Sequence, residues 1–242
     1  MADATVTDRT ATDRTATTPR VGLGRAAALF ERCEAELDRS ASVRLLRELS
    51  SGEVGAEAFG RYLAVEHDFV RTAARLAGYC LWQQPDWSLA ERHAHAVADL
   101  VGPQDRYFAE LQGAWPVDEA TLPAVLERAS CLRAAVELAL DEGGYAGVVT
   151  SLATAETLYL RWCTEAAALA VERPPAVQDW IDLHVSDGFR SQVAFLHEVV
   201  DRLPPSVDDD QLDRWCVAML AAEDAFHGSA HLDAAEASGA SS

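Results

Sequence analysis

The chain has 242 residues, 49% of them hydrophobic, which suffices for one large domain with a sizeable core. Its net charge is −19, and all 20 basic side chains are arginine. That charge argues against nucleic acid and against an anionic membrane surface as partners. No apolar run reaches the ~20 residues that a membrane span needs, and the N-terminus lacks the apolar stretch of a signal peptide. The five cysteines form no C-x-x-C pair, and their odd number points to free, mostly buried thiols in a reducing cytoplasm.

In chain order, residues 1–20 contain Thr-Asp-Arg-Thr-Ala at 7–11 and again at 12–16. This polar, low-complexity segment is expected to be a disordered tail, as are residues 238–242. The domain is expected over 21–237. A first helical pattern covers 24–38 and a short one 42–49, stopped by Ser50-Ser51-Gly52. The next runs from Gly55 to about Gln83, with the stripe Phe59, Leu63, Glu66, Val70, Ala73, Ala77, Cys80. A helix from Trp87 to about Val101 is expected to be interrupted by Gly102-Pro103 and to resume as far as Gly113. Trp115-Pro116 is a connection. A helix over 120–140 is expected to break near Ala129, and Asp141-Glu142-Gly143-Gly144 is a strong stop.

The following helix carries Tyr145, Val149, Leu152, Glu156, Tyr159, Cys163, Ala166 and Ala170 on one face. Arg173-Pro174-Pro175 ends it. One long helix is expected over 176–203, with Gly188 inside it, and another from Ser206 to about Ala237. The stripe of that last helix is Leu212, Cys216, Met219, Glu223, Phe226, Ala230. No segment alternates with the period of a strand. The fold class is therefore all-α, a helical bundle of about seven to eight helices.

Three of these helices place a glutamate inside an apolar stripe: Glu66, Glu156 and Glu223. One such residue is most simply a carboxylate paired with a buried arginine. Three on different helices point instead to a shared pocket. Convergent carboxylates can share protons as general acid and base, clamp the amidine edge of a basic heterocycle, or bind a pair of metals. The metal option needs Glu-x-x-His on two helices, whereas Glu156 is followed at that spacing by Tyr159 and Glu223 by Phe226. His227, four residues after Glu223, is the one histidine placed to assist. Cys163, two turns beyond Glu156, is read as a small buried side chain rather than a nucleophile.

Three segments resemble the TenA (thiaminase II) family: Tyr62-Leu-Ala-Val-Glu-His-Asp-Phe-Val70, Glu156-Thr-Leu-Tyr159 followed by Ser186-Asp-Gly-Phe-Arg190, and Glu223-Asp-Ala-Phe226. The likeness runs from about residue 25 to 235. It implies a haem-oxygenase-like helical bundle. It also implies a hydrolase of a 4-aminopyrimidine, thiamin or a breakdown product of it, that needs no cofactor. The position matching the family's catalytic cysteine is Ala155. Glu156 and Tyr159 resemble the pair found in a branch that lacks that cysteine.

By the same resemblance, Glu156, Glu223 and Tyr159 are catalytic. Glu66, Phe69, His184, Phe226 and Leu132 line the substrate site. Glu66 stands where the family usually has aspartate, Phe69 and Leu132 where it has tyrosines, and His184 where it has tyrosine or tryptophan. The expected roles are Glu156 as general base or proton donor, Glu223 sharing its proton, Tyr159 orienting one of those two, Glu66 on the amidine edge, and Phe69 and Phe226 sandwiching the ring. A homo-oligomer, dimer or tetramer, is implied, with Trp82, Trp87 and Trp115 as candidate interface residues. The alternatives are a non-haem di-iron oxidase on the same bundle and a non-catalytic small-molecule binder.

Overall fold

The computed structural model describes residues 24–84 and 86–232, and every regular element among them is helical. The two expected tails, 1–20 and 238–242, lie outside the described residues, as does the expected extension of the last helix to 237. The described residues form eleven α-helices, more than the seven to eight expected, chiefly because two continuous patterns each divide at a turn.

The pattern at 24–38 divides into α1 (Arg25–Arg32) and α2 (Glu34–Ala41). Cys33 between them leaves helical geometry, with φ −93° and ψ 13°. After α3 (Arg44–Ser51) comes α4 (Ala56–Gln83), whose 28 residues hold Tyr62, Glu66 and Phe69. The interruption expected at Gly102-Pro103 is instead a π turn over Leu100–Gln104. It joins α5 (Trp87–Asp99) to α6 (Asp105–Ala114) without a gap. A proline inside a helix has no N–H and crowds the carbonyl four residues back, and the wider π turn accommodates both.

The break expected near Ala129 is absent. α7 (Leu122–Gly143) is rich in Leu, Ala, Glu and Arg, good helix formers, and continues through it. Gly144, with φ 54° and ψ −128°, reverses the chain into α8 (Tyr145–Ala167) in a conformation L side chains rarely adopt. The two helices then touch closely. A Cβ on Gly147 would stand 1.9 Å from the Ala139 carbonyl oxygen.

The single helix expected over 176–203 is two: α9 (Pro175–His184) and α10 (Asp187–Asp201). The break falls at Val185–Ser186, and Gly188 lies inside the second of the two helices. Ser186 caps α10 by accepting from the Phe189 N–H, and Asp187 sits in its first turn. A serine cap followed by an acid is a helix start, and it overrides the continuous apolar period. α11 (Asp209–Gly228) begins with a capping box formed by Asp208 and Gln211, and a 3₁₀ turn over Ser229–His231 follows it.

α8 is the axis of the bundle. It contacts α2, α3, α4, α7, α9, α10 and α11. One stripe was expected to be buried, but Ala146–Ser151, Ala153 and Thr154 are all buried, so its first half is enclosed all round. Thr150, Ser151 and Thr154 donate to carbonyls one turn back at 2.8, 3.0 and 2.8 Å, which satisfies their hydroxyls inside the core. Glu156 and Tyr159 come in the next turns of this helix.

Candidate functional site

α8 packs against both α4 and α11, side chains of α4 and α11 meet across it (Tyr62 with His227 at 6.0 Å), and each of the three helices brings its glutamate to this seam. Glu66 is 8% exposed and Glu223 1%. Glu156 keeps part of its surface accessible. Burial is the first cause acting on all three, and it pushes Glu66 and Glu156 up to about 7 and Glu223 well above the ordinary carboxylate range. Their charges also act on one another. Glu66 raises both Glu156 and Glu223, and Glu156 raises Glu223. The three therefore share protons near neutral pH instead of all ionising.

Tyr159 sits at the centre of the hydrogen bonds. Its hydroxyl donates to Glu66 Oε1, receives the Tyr62 hydroxyl at 3.2 Å, and lies 3.2 Å from His227 Nε2. It was expected to orient Glu156 or Glu223, and it is bonded to Glu66 instead. His227 is fully buried, 3.9 Å from Glu223 Oε2, and burial lowers it to about 3. Glu223 Oε2 is buried without a hydrogen-bond partner. A side chain in that state is the one most open to a ligand's donor.

His184 closes another side. Its Nδ1 faces the Trp180 carbonyl at 2.8 Å, and its ring packs against Trp180 at 4.3 Å, Phe189 at 4.7 Å and Tyr159 at 5.2 Å. Burial lowers it to about 4, so it is a neutral ring at pH 7. Phe69 and Phe226 meet edge to face, 6.1 Å apart at 64°. Two rings at that angle and distance touch each other, so as placed they leave no room between them for a third ring. Beside them opens a cleft of about 310 Å³, lined by Val65, Asp68, Phe69, Arg133 and Phe226 among others. Leu132 is buried in the core on α7 and stands outside the hydrogen-bonded group. Cys163, fully buried, is pushed up by burial and by Glu66, which makes a thiolate unfavourable.

Tyr62, Trp180 and the bonding role of His227 escape sequence reading. Tyr62 is four residues before Glu66 on the same face, and that spacing is the one signal available. Trp180 has none beyond being apolar. Among the described residues, no group of three or more His, Cys, Asp or Glu side chains is arranged to hold a metal ion. No described helix is long and apolar enough to cross a membrane.

Comparison with known proteins gives a consistent picture. A model of the TENA/THI-4/PQQC family matches residues 44–227. No curated protein sequence matches the chain. Among solved structures, a TenA homologue from P. horikoshii OT3 superposes with a TM-score of 0.71 at 15% identity, over 86% of this chain and 98% of its own. A TenA homologue from Pyrococcus furiosus gives 0.69 at 16%, over 85% and 99%. A TenA family transcription regulator from Silicibacter sp. TM1040 gives 0.71 at 19%, over 86% and 95%. At these identities the likeness establishes the fold.

Proposed function

Given that the chain belongs to the TENA/THI-4/PQQC family, we propose that it hydrolyses a carbon–nitrogen bond in a 4-aminopyrimidine or a closely related small basic heterocycle, without an active-site cysteine. The observation that carries this reading is the convergence of the buried Glu66 and Glu223 and the partly accessible Glu156 on one seam, with Tyr159 bonded to Glu66 and each carboxylate raised by a neighbour or by burial. Such a group recognises a protonatable amidine edge by charge-assisted hydrogen bonds, and it holds both a base and an acid near neutral pH.

The step proceeds as follows. Glu66, held by Tyr159, takes the amidine edge. Glu156, the carboxylate with accessible surface, removes a proton from water. The new C–O bond forms as the C–N bond breaks, and Glu223 gives its proton to the departing nitrogen. His184, Phe69 and Phe226 supply the apolar and aromatic walls. Ala155 offers no nucleophile where the family's cysteine would stand, so the route is direct attack by water. We place the reaction in the cytoplasm and its catalyst in a homo-oligomer. Trp82 and Trp87, both 84% exposed, support an interface. Trp115 does not, because it packs edge-on against Phe59 at 5.0 Å.

The test is Glu156→Gln with a panel of aminopyrimidines and thiamin, read by product formation and by thermal shift. Turnover is expected to fall ~10²- to 10⁴-fold while the ligand-induced shift persists. Unchanged turnover sinks the base assignment. Binding by the wild-type chain with no product from any compound favours a non-catalytic binder.

A further inference from the structure

A phenol has one proton to give and two lone pairs to receive with. The Tyr159 hydroxyl has three partners: Glu66 Oε1, the Tyr62 hydroxyl at 3.2 Å, and His227 Nε2 at 3.2 Å. An ionised Glu66 can only accept, so it takes the Tyr159 proton. Tyr62, whose hydroxyl is also in reach of Glu66, donates to Tyr159, and His227 must then donate too, which puts the imidazole proton on Nε2. In the other tautomer the proton is on Nδ1, which is buried near the Glu223 backbone carbonyl but outside hydrogen-bond geometry, so its N–H would stand unpaired. Nε2 then becomes an acceptor, draws the Tyr159 proton to itself, and takes that donor from Glu66, which favours a protonated Glu66. The tautomer of His227 and the charge of Glu66 are therefore linked through one hydroxyl.

We propose that His227 is a positioning residue: its Nε2–H holds Tyr159 so that the tyrosine's proton stays on Glu66, which makes Glu66 the anion of the three carboxylates and leaves the proton to Glu223. Geometry and burial agree. Glu223 Oε2 has no acceptor or donor bonded to it, whereas Glu66 receives a tyrosine proton. The other titratable groups around Tyr159 and His227 are Tyr62 on α4, Glu156 and Cys163 on α8, and His184 on α9. Asp224 on α11 pairs outward with Arg39 at 3.5 Å, and Cys131 on α7 lies toward Glu223. Arg128 on α7 acts on Cys131 as well. The inference rests on the proposed function for its catalytic consequence: the ionised carboxylate meets the ligand's basic edge, and the protonated one meets the leaving group.

The test is carried out on the full-length chain. With isotope-labelled histidine, NMR at about pH 8, above the Glu66 midpoint of about 7, is expected to show His227 as the Nε2–H tautomer. The Nδ1–H tautomer there overturns the proposal. With labelled glutamate side chains, the Glu66 midpoint is expected to rise by about 0.5 to 1 pH unit in His227→Phe, because the bond that supports the anion is weakened. It is expected to return toward the wild-type value in His227→Gln, whose amide N–H reaches the Nε2 position. A packing role predicts the opposite order, since phenylalanine fills the imidazole space better than glutamine. An unmoved midpoint in His227→Phe overturns the proposal. If that variant fails to fold, the wild-type tautomer and the glutamine variant decide. No readout here needs turnover, so a chain that hydrolyses nothing but shows the tautomer and the shift keeps this inference and loses the proposed function.

Discussion

Replacing one oxygen of Glu156 by an amide tests more than catalysis. An unfolded glutamate titrates near 4.5, and in the fold Glu156 is held up to about 7, first by burial and then by Glu66. The folded state therefore binds more protons than the unfolded state between those values, and stability falls as pH rises through them. The penalty is absent below about 4.5 and complete above about 7. Glu156→Gln removes the charge, so it is expected to gain about 2 kcal/mol relative to wild type on going from pH 5 to pH 8 in denaturant melts. A gain that is the same at both pH values would show that the carboxylate is not buried against its neighbours. The buried histidines act in the opposite sense: His184 and His227 are lowered, so their cost appears as pH falls below about 6.5. At this scale the three glutamates are legible in sequence because a charge breaks an apolar period visibly. Tyr62 and His227 are not, because a tyrosine or histidine in a stripe suits a core, and a bond across helices leaves no mark in either helix's own spacing. That Phe69 and Phe226 each follow a glutamate by three residues is readable. That Phe69 touches Phe226 edge-on is not, since ring orientation depends on packing from three helices.

The helices themselves follow from sequence wherever period and capping agree, as in α4 and α11. They mislead where the two compete. Over 176–203 the apolar period is unbroken, yet Ser186 and Asp187 start a new helix within it. At Gly102-Pro103 the breakers read as a gap, yet a π turn absorbs them. Two glycines with opposite surroundings make the packing testable. Gly147 lies where α7 and α8 touch, and any Cβ there meets backbone at 1.9 Å. Gly147→Ala is expected to cost about 1 to 3 kcal/mol in denaturant melts, because the helices must separate. Gly188 stands in the first turn of α10, where a Cβ would meet only the Ser186 hydroxyl at 3.8 Å. Gly188→Ala is expected to gain about 0.5 to 1 kcal/mol by helix propensity alone. Equal effects at the two sites would mean that α7 and α8 do not meet as described.

At the scale of the molecule, acid outnumbers base, with 39 acidic against 20 basic side chains. Several arginines hold distant parts of the chain together. Arg32 takes Asp213 at 2.7 Å across α1 and α11, Arg161 joins Glu34 and Asp38 to α8, and Arg202 reaches Asp86 at 2.9 Å. None of these pairs includes the carboxylate group formed by Glu66, Glu156 and Glu223. What compensates it is protons, and those are exchangeable with the medium. A cationic heterocycle entering the group favours the ionised carboxylates and expels protons as it binds. The heat of that binding is then partly the heat of the buffer that takes them up. Titration calorimetry near pH 7 in buffers of low and high ionisation enthalpy is expected to give apparent enthalpies that differ with a slope of up to about one proton per ligand, and no slope for a neutral isostere. The seam between α4, α8 and α11 would behave, thermally, as an ion exchanger.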